Sequence, residues 1–316
     1  MQNQTEKNKN YPIIFIHVGH SNYESNPEHL QYVLKQARKT NPNSTIHLIG
    51  DNENNKYNFI KHHDVNNYLY NKDAQNFKKI YKHLSRSPYD SSLFVFQSWI
   101  ILRDFLIEQG INKCLLIDTD IMLFADINKE FNKFKNYDFT ISFNQSPHSI
   151  FFNNQKSLID FCQFLIDIYS GKNKEGYSKI KQHYSNLKIS NKLGGNVCDM
   201  TIFNLYRLKN CGKIGETTEI INNSTYDNNI NCSLDYKNNY KTRFGAKKIY
   251  WINGLPYCKL LKNGKKIKFN TLHCQGSSKK YIKRIYQQKQ LIPISDVILN
   301  FYKKIINKIN NYLVIA

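Results

Sequence analysis

Acidic residues are scarce: 24 Asp and Glu stand against 45 Lys and Arg in 316 residues, a formal charge of +21. That imbalance favours an anionic partner, such as a nucleic acid, a phosphorylated small molecule or an acidic membrane surface. The lysines are scattered along a chain rich in Asn, Ile and Tyr, a composition that an AT-rich genome also produces. The seven cysteines are odd in number and include no C-x-x-C pair. Several lie within apolar runs, where Cys acts as a small core residue. This argues against a zinc ribbon or a disulfide scaffold and fits a reducing, cytoplasmic compartment. No stretch of 18 apolar residues is present, so no membrane-spanning helix is expected. Residues 1–10 are polar, lack the apolar centre of a signal peptide and read as a disordered leader.

What is present reads as an α/β chain. Pro12 to Val18 is a buried strand ending at Gly19. Glu28 to Lys39 carries Leu30, Val33, Leu34 and Ala37 at helical spacing, and Thr45 to Ile49 forms a second strand closed by Gly50 and Asp51. Strand–helix–strand is the opening of a parallel, nucleotide-binding sheet, and an acid after the second strand suits a ribose or base contact. Residues 52–90 show no period and read as loops and short helices. A helix is expected over 91–109, strands over 114–117 and 139–143, and an amphipathic helix over 158–169. Residues 171–190 are polar and lysine-rich and read as a surface excursion, 215–248 as loop and 248–252 as strand.

The chemistry centres on Lys113 to Phe124, in which an apolar strand delivers Asp118 and Asp120 one residue apart. In an extended backbone the two would project to the same side, at the strand end where open α/β sheets bind ligands. Two neighbouring carboxylates repel unless a cation lies between them, and a hard divalent ion, Mn²⁺ or Mg²⁺, meets that need. A second informative stretch is Thr271 to Lys279. Its His273 can complete a metal shell, Gly276 allows close approach of a phosphate, and Lys279 supplies a cation. Between them, Leu193 to Asn204 joins a glycine turn to an apolar helix, with Asp199 near the helix start, where an acid is also favoured as a cap.

Three stretches together resemble the GT-A glycosyltransferases, and most of all the glycogenin-like enzymes of family 8. Leu116 to Ile121 is similar to that family's strand and D-x-D motif, Asp199 to Asn204 to its D-Q-D-x-x-N helix start, and His273 to Lys279 to its H-x-x-G-x-x-K. The resemblance spans most of 11–285. It implies a Rossmann-like, mostly parallel sheet flanked by helices in one catalytic domain, residues 11–290. It also implies hexosyl or N-acetylhexosaminyl transfer from a UDP-sugar to a hydroxyl on a glycan, lipid-linked or protein acceptor, with retention. Asp118, Asp120 and His273 would then bind Mn²⁺ or Mg²⁺. Gly276 and Lys279 would hold the phosphates, with Thr119 beside them. Val18, Gly19 and Asp51 would line the nucleoside pocket, and Asp199 would face the donor sugar. Met200 and Thr201 replace the family's Gln and second Asp, and no glycine-rich donor segment is recognisable over 143–147.

Two other functions fit parts of the pattern. A sugar-1-phosphate nucleotidyltransferase needs a glycine-rich, basic signature after the first strand, which Val18 to Tyr23 does not supply. A basic nucleic-acid-binding protein would carry a helix-turn-helix, zinc-finger or RNA-recognition signature, and none is found, so no specific nucleic acid is expected. Residues 291–316 read as an amphipathic helix. Val297, Phe301 and Ile305 share one face, which either closes the domain or lets 295–313 lie on an anionic membrane.

Overall fold

The computed structural model describes residues 10–19, 24–189, 196–209, 213–289 and 291. The expected leader, the glycine turn at 194–195 and the C-terminal helix therefore fall outside the described residues, apart from residues 10 and 291.

Among the described residues seven strands form the main sheet: β1 (Ile13–His17), β2 (Ile46–Gly50), β3 (Lys61–Asp64), β4 (Cys114–Ile117), β6 (Phe139–Ile141), β7 (Ser149–Phe152) and β8 (Ile214–Glu216). Their order is β3-β2-β1-β4-β7-β6-β8. Only β7 runs against the rest, being antiparallel to both β4 and β6, while the other neighbouring pairs are parallel. The mixed, mostly parallel sheet flanked by helices is thus present. β5 (Ile121–Leu123) leaves the sheet and pairs antiparallel with Thr271–His273, setting Ile121 opposite His273.

Alternation along the strands divides the interior into two cores. Ile13, Phe15, Leu115 and Ile117 face one, which is closed by α1 (Glu28–Thr40) and the β5 layer. Ile14, Cys114 and Leu116 face the other, beneath α4 (Tyr89–Glu108), α6 (Gln155–Tyr169) and α8 (Asp199–Lys209). α4 starts after Pro88, buries Phe96, Trp99, Ile100, Ile101, Leu102 and Phe105, and stops before Gly110, whose φ is +62°. No helix among the described residues is long and apolar enough to cross a membrane.

Several local expectations are corrected. Residues 52–90 hold short helices as expected, α2 (Asn66–Leu69) and α3 (Lys72–Ile80), but also the edge strand β3, which no period announces. The polar stretch 171–190 is largely the helix α7 (Lys174–Ile189). It buries only Gly176 and Ile180 and is held by Asn173 accepting the Gly176 N–H at 2.9 Å and by a Glu175–Lys179 pair. The strand expected over 139–143 ends at Ile141, because Phe143 and Asn144 take positive φ and their N–H groups donate to Glu216 at 2.9 and 2.7 Å.

α6 begins at a formed cap in which the Asn154 side chain accepts the Ser157 N–H at 2.8 Å. Asn154→Ala should lower the unfolding free energy by about 1 kcal/mol, read as a shift in the urea midpoint with unchanged slope. An unmoved midpoint would show that the cap adds nothing.

Candidate active site

β4 ends at Ile117, and the chain turns at once, with the Ile121 N–H donating to the Asp118 carbonyl at 3.2 Å. The two acids therefore sit on a turn, not on one face of an extended strand, and their surroundings differ. Asp118 opens to the cleft, whereas Asp120 is 8 % exposed. The turn is anchored from several elements. The Asp118 N–H donates to the His148 carbonyl, the Cys274 N–H donates to the Asp120 carbonyl, and Thr119 Oγ1 lies 3.0 Å from His17 Nδ1 at the end of β1.

The register of β5 against Thr271–His273 brings His273 to Asp120. His273 Nε2 lies 3.4 Å from Asp120 Oδ1, an oxygen that is buried without a well-formed hydrogen bond, and Lys279 Nζ lies 3.2 Å from Oδ2. Burial opposes charge on Asp120, but the close approach of the His273 imidazole and of the Lys279 ammonium outweighs it and holds this carboxyl below its usual range. The same pairing outweighs burial at His273 and raises its imidazole. Asp118 moves the other way, pushed up first by loss of water around a carboxyl set at the foot of the cleft and then by the Asp120 charge. Gly276 takes φ +62° at the start of the turn that carries Lys279.

A hard cation suits this donor set. The orphaned Asp120 oxygen faces Nε2 of an imidazole whose Nδ1 lies 2.6 Å from the Asn228 carbonyl and donates to it, and Asp118 opens into the same cleft. Among the described residues, however, no three His, Cys, Asp or Glu side chains are gathered closely enough to hold an ion as they stand. Asp120 and His273 are the close pair, and Lys279 neutralises the outer oxygen of Asp120.

These groups line a cavity of about 580 Å³ at the carboxyl ends of β1 and β4. Asp199 lines the same cavity. Its Oδ2 accepts from Trp99 Nε1 at 3.3 Å and its Oδ1 from the Met200 N–H at 2.8 Å, and burial pushes its carboxyl up to about 6. A second cavity of about 620 Å³ shares His17, Val95, Cys198, Gly276 and Lys279 with the first, so the two adjoin. It is lined by serines near the start of α4 and by His29, whose Nε2 is buried and without a hydrogen-bond partner.

Of the site residues expected from sequence, Val18, Asp118, Thr119, Asp120, Asp199, His273, Gly276 and Lys279 all line the first cavity. Gly19 and Asp51 do not. Asp51 Oδ2 accepts the Gly19 N–H at 2.8 Å, and a Cβ on Gly19 would collide with Ser25, so this pair shapes the loop after β1. Sequence reading missed His17, His148 and Trp99. His148 is buried with its ring 4.3 Å from that of His273. It precedes β7, whose register on β4 no local pattern announces.

No protein-family model matches the chain, nor does any curated protein. Among solved structures the chain is similar to mouse xyloside xylosyltransferase 1 in its apo form, at 11% identity and TM-score 0.45, over 68% of this chain and 88% of that one. It is also similar to the apo glycosyltransferase GlyE of Streptococcus pneumoniae TIGR4, at 15% identity and TM-score 0.36, over 66% of this chain and 45% of that one. A third is the galactosyltransferase LgtC in complex with donor and acceptor sugar analogues, at 11% identity and TM-score 0.34, over 68% and 76%. Likenesses this distant carry no conclusion about activity.

Proposed function

We propose that the protein transfers a hexosyl or N-acetylhexosaminyl group from a UDP-sugar to a hydroxyl acceptor, with Mn²⁺ or Mg²⁺ bound at Asp118, Asp120 and His273. The observation that supports this reading best is that one cleft gathers the Asp120–His273 pair, Gly276 and Lys279, and the separate carboxylate of Asp199. Such a set suits a reaction in which an anionic diphosphate leaves and the sugar turns positive. A bound Mn²⁺ or Mg²⁺ supplies further positive charge for the leaving group. Lys279, steadied by Asp120, meets the departing phosphates, and Gly276 leaves them room. Asp199 faces the sugar and offers negative charge where oxocarbenium character develops. The serine-lined cavity, with His17 and His29, gives the nucleoside half its place. Transfer is retaining on this reading, the departing phosphate taking the acceptor proton. An inverted product anomer would instead make Asp199 the base.

UDP release from a panel of UDP-sugars, with Mn²⁺ and with EDTA, tests the proposal. Release from at least one donor with Mn²⁺, abolished by EDTA, is expected, and Lys279→Ala should weaken UDP binding about tenfold through lost charge neutralisation. If no UDP-sugar is bound or cleaved while random DNA binds tightly at physiological salt, the reading is wrong. Glycan, lipid-linked and protein acceptors all present the required hydroxyl. A cytoplasmic site of action, with membrane contact through 295–313, belongs to the same proposal, and absence of co-sedimentation with anionic liposomes at low salt would remove the membrane part.

A further inference from the structure

Next to the cleft lies a buried charge cluster that takes no direct part in the proposed transfer. The side chains of Lys247, Asp227 and Asp235 are all fully buried, with Lys247 Nζ 2.7 Å from Asp227 Oδ1 and 2.9 Å from Asp235 Oδ2. Two carboxyls share one ammonium, and burial pushes Asp235 up against the pull of Lys247. Taking charges out of water in this way is costly, and apolar replacement is often neutral or stabilising. Stability alone is therefore a weak reason for the cluster, whereas its hydrogen bonds lead to the cleft.

Lys247 Nζ donates to the Asn229 carbonyl at 2.6 Å, while Asp227 Oδ2 accepts the His273 backbone N–H at 2.9 Å. The Asp227 N–H donates to Thr271 Oγ1 at 3.0 Å. Segment 227–229 is thereby fixed, and its next two carbonyls point at imidazoles. That of Asn228 is 2.6 Å from His273 Nδ1, and that of Asp227 is 3.2 Å from His148 Nε2. A carbonyl only accepts, so each of these ring nitrogens carries a proton. His273 is left with Nε2 toward Asp120. His148 is left with Nδ1, met by Ser146 Oγ at 2.7 Å, and stays neutral in its buried site.

We propose that Asp227 and Lys247 are positioning residues of the cleft, holding segment 227–229 so that its carbonyls lock the Nδ1 proton of His273 and aim Nε2 at the cation position beside Asp120. The cation part rests on the proposed function; the locked proton does not. An amide cannot replace Asp227, because its single acceptor serves either Lys247 or the His273 N–H, not both.

The test compares wild type with Asp227→Asn, which leaves Lys247 and Asp235 as a balanced pair, and with Thr271→Val, which removes only the acceptor of the Asp227 N–H. In metal-free protein, imidazole nitrogen and proton NMR should show a slowly exchanging His273 Nδ1–H resonance in wild type that is lost in Asp227→Asn. Calorimetric titration with Mn²⁺ alone should show affinity about 10–100-fold weaker in that variant, the usual cost of losing an outer-shell partner, while circular dichroism stays native. Thr271→Val should move both readouts in the same direction and decides the matter if Asp227→Asn does not fold. An unchanged Nδ1–H resonance together with Mn²⁺ affinity within twofold of wild type overturns the proposal. A wild type that shows the locked proton but binds no Mn²⁺ overturns the cation reading and leaves the positioning role to be judged on the resonance.

Discussion

Asp120→Asn should lower kcat/KM for sugar transfer by about 10³-fold or more, and excess Mn²⁺ should not restore it. Each oxygen of Asp120 faces a basic side chain, Oδ1 that of His273 at 3.4 Å without a formed hydrogen bond and Oδ2 that of Lys279 at 3.2 Å. The amide removes the charge that binds a cation and steadies Lys279, while its nitrogen turns a donor toward one of two cationic groups. Losing an electrostatic group that serves developing charge costs about 4 kcal/mol of transition-state stabilisation, or about 10³-fold in rate. The fold should survive, since the hydrogen bonds that anchor this turn to its neighbours run through backbone groups and through Thr119. A second readout separates this role from simple damage. With Asp120 neutralised, His273 and Lys279 are less compensated, so UDP should bind no more weakly without metal while losing its gain from Mn²⁺. Turnover within tenfold of wild type would be incompatible with a cation held at Asp120.

How far the sequence announced the fold depends on whether each element carries its own period. β1, β2, β4, α1, α4 and α6 were legible because each buries a continuous run or stripe, and α4 is buried nearly all round. β3 was not: Lys61, His62, His63 and Asp64 form an edge strand with no apolar signal, held by its pairing to β2. β7 was hidden because Phe151 and Phe152 could belong to any apolar run. Its antiparallel register on β4 comes from tertiary context. α7 looks like a surface excursion in the sequence because it buries only two residues and relies on local ion pairing and an asparagine at its start.

The candidate site shows the same division. Asp118 and Asp120, and His273 with Gly276 and Lys279, were legible because each set lies within a few residues and each residue type has a chemical reason to be there. The extended geometry assumed for the two acids was not correct. A turn makes one open and the other buried, and no two-residue spacing distinguishes those cases. His17, His148, Trp99 and the Asp227–Lys247 cluster reach the site through register and loop packing between parts of the chain that are far apart in sequence, His148 and His273 being 125 residues apart. Taken one at a time they read as core or loop residues.

Asp199 has two explanations that one substitution separates. It stands at the first residue of α8 with Oδ1 on the Met200 N–H, so it serves the helix start. It also opens into the cavity that holds Asp118 and Asp120. Asparagine serves a helix start about as well as aspartate, so Asp199→Asn should leave thermal stability nearly unchanged under either explanation. If the charge faces the sugar, kcat should fall about 10²–10³-fold, the range for a positioned carboxylate that acts in the transition state, with UDP affinity largely retained. The pH profile gives the sign. Burial pushes Asp199 up to about 6, so the group is ionised above that pH and neutral below it. Activity that needs the anion is therefore lost as pH falls through about 6, and this limb should vanish in Asp199→Asn. Trp99 Nε1 donates to the ionised form and lowers the pKa, so Trp99→Phe should move the limb to higher pH. An Asp199→Asn enzyme with wild-type kcat and the same acid limb would leave Asp199 as a helix cap and remove it from the chemistry.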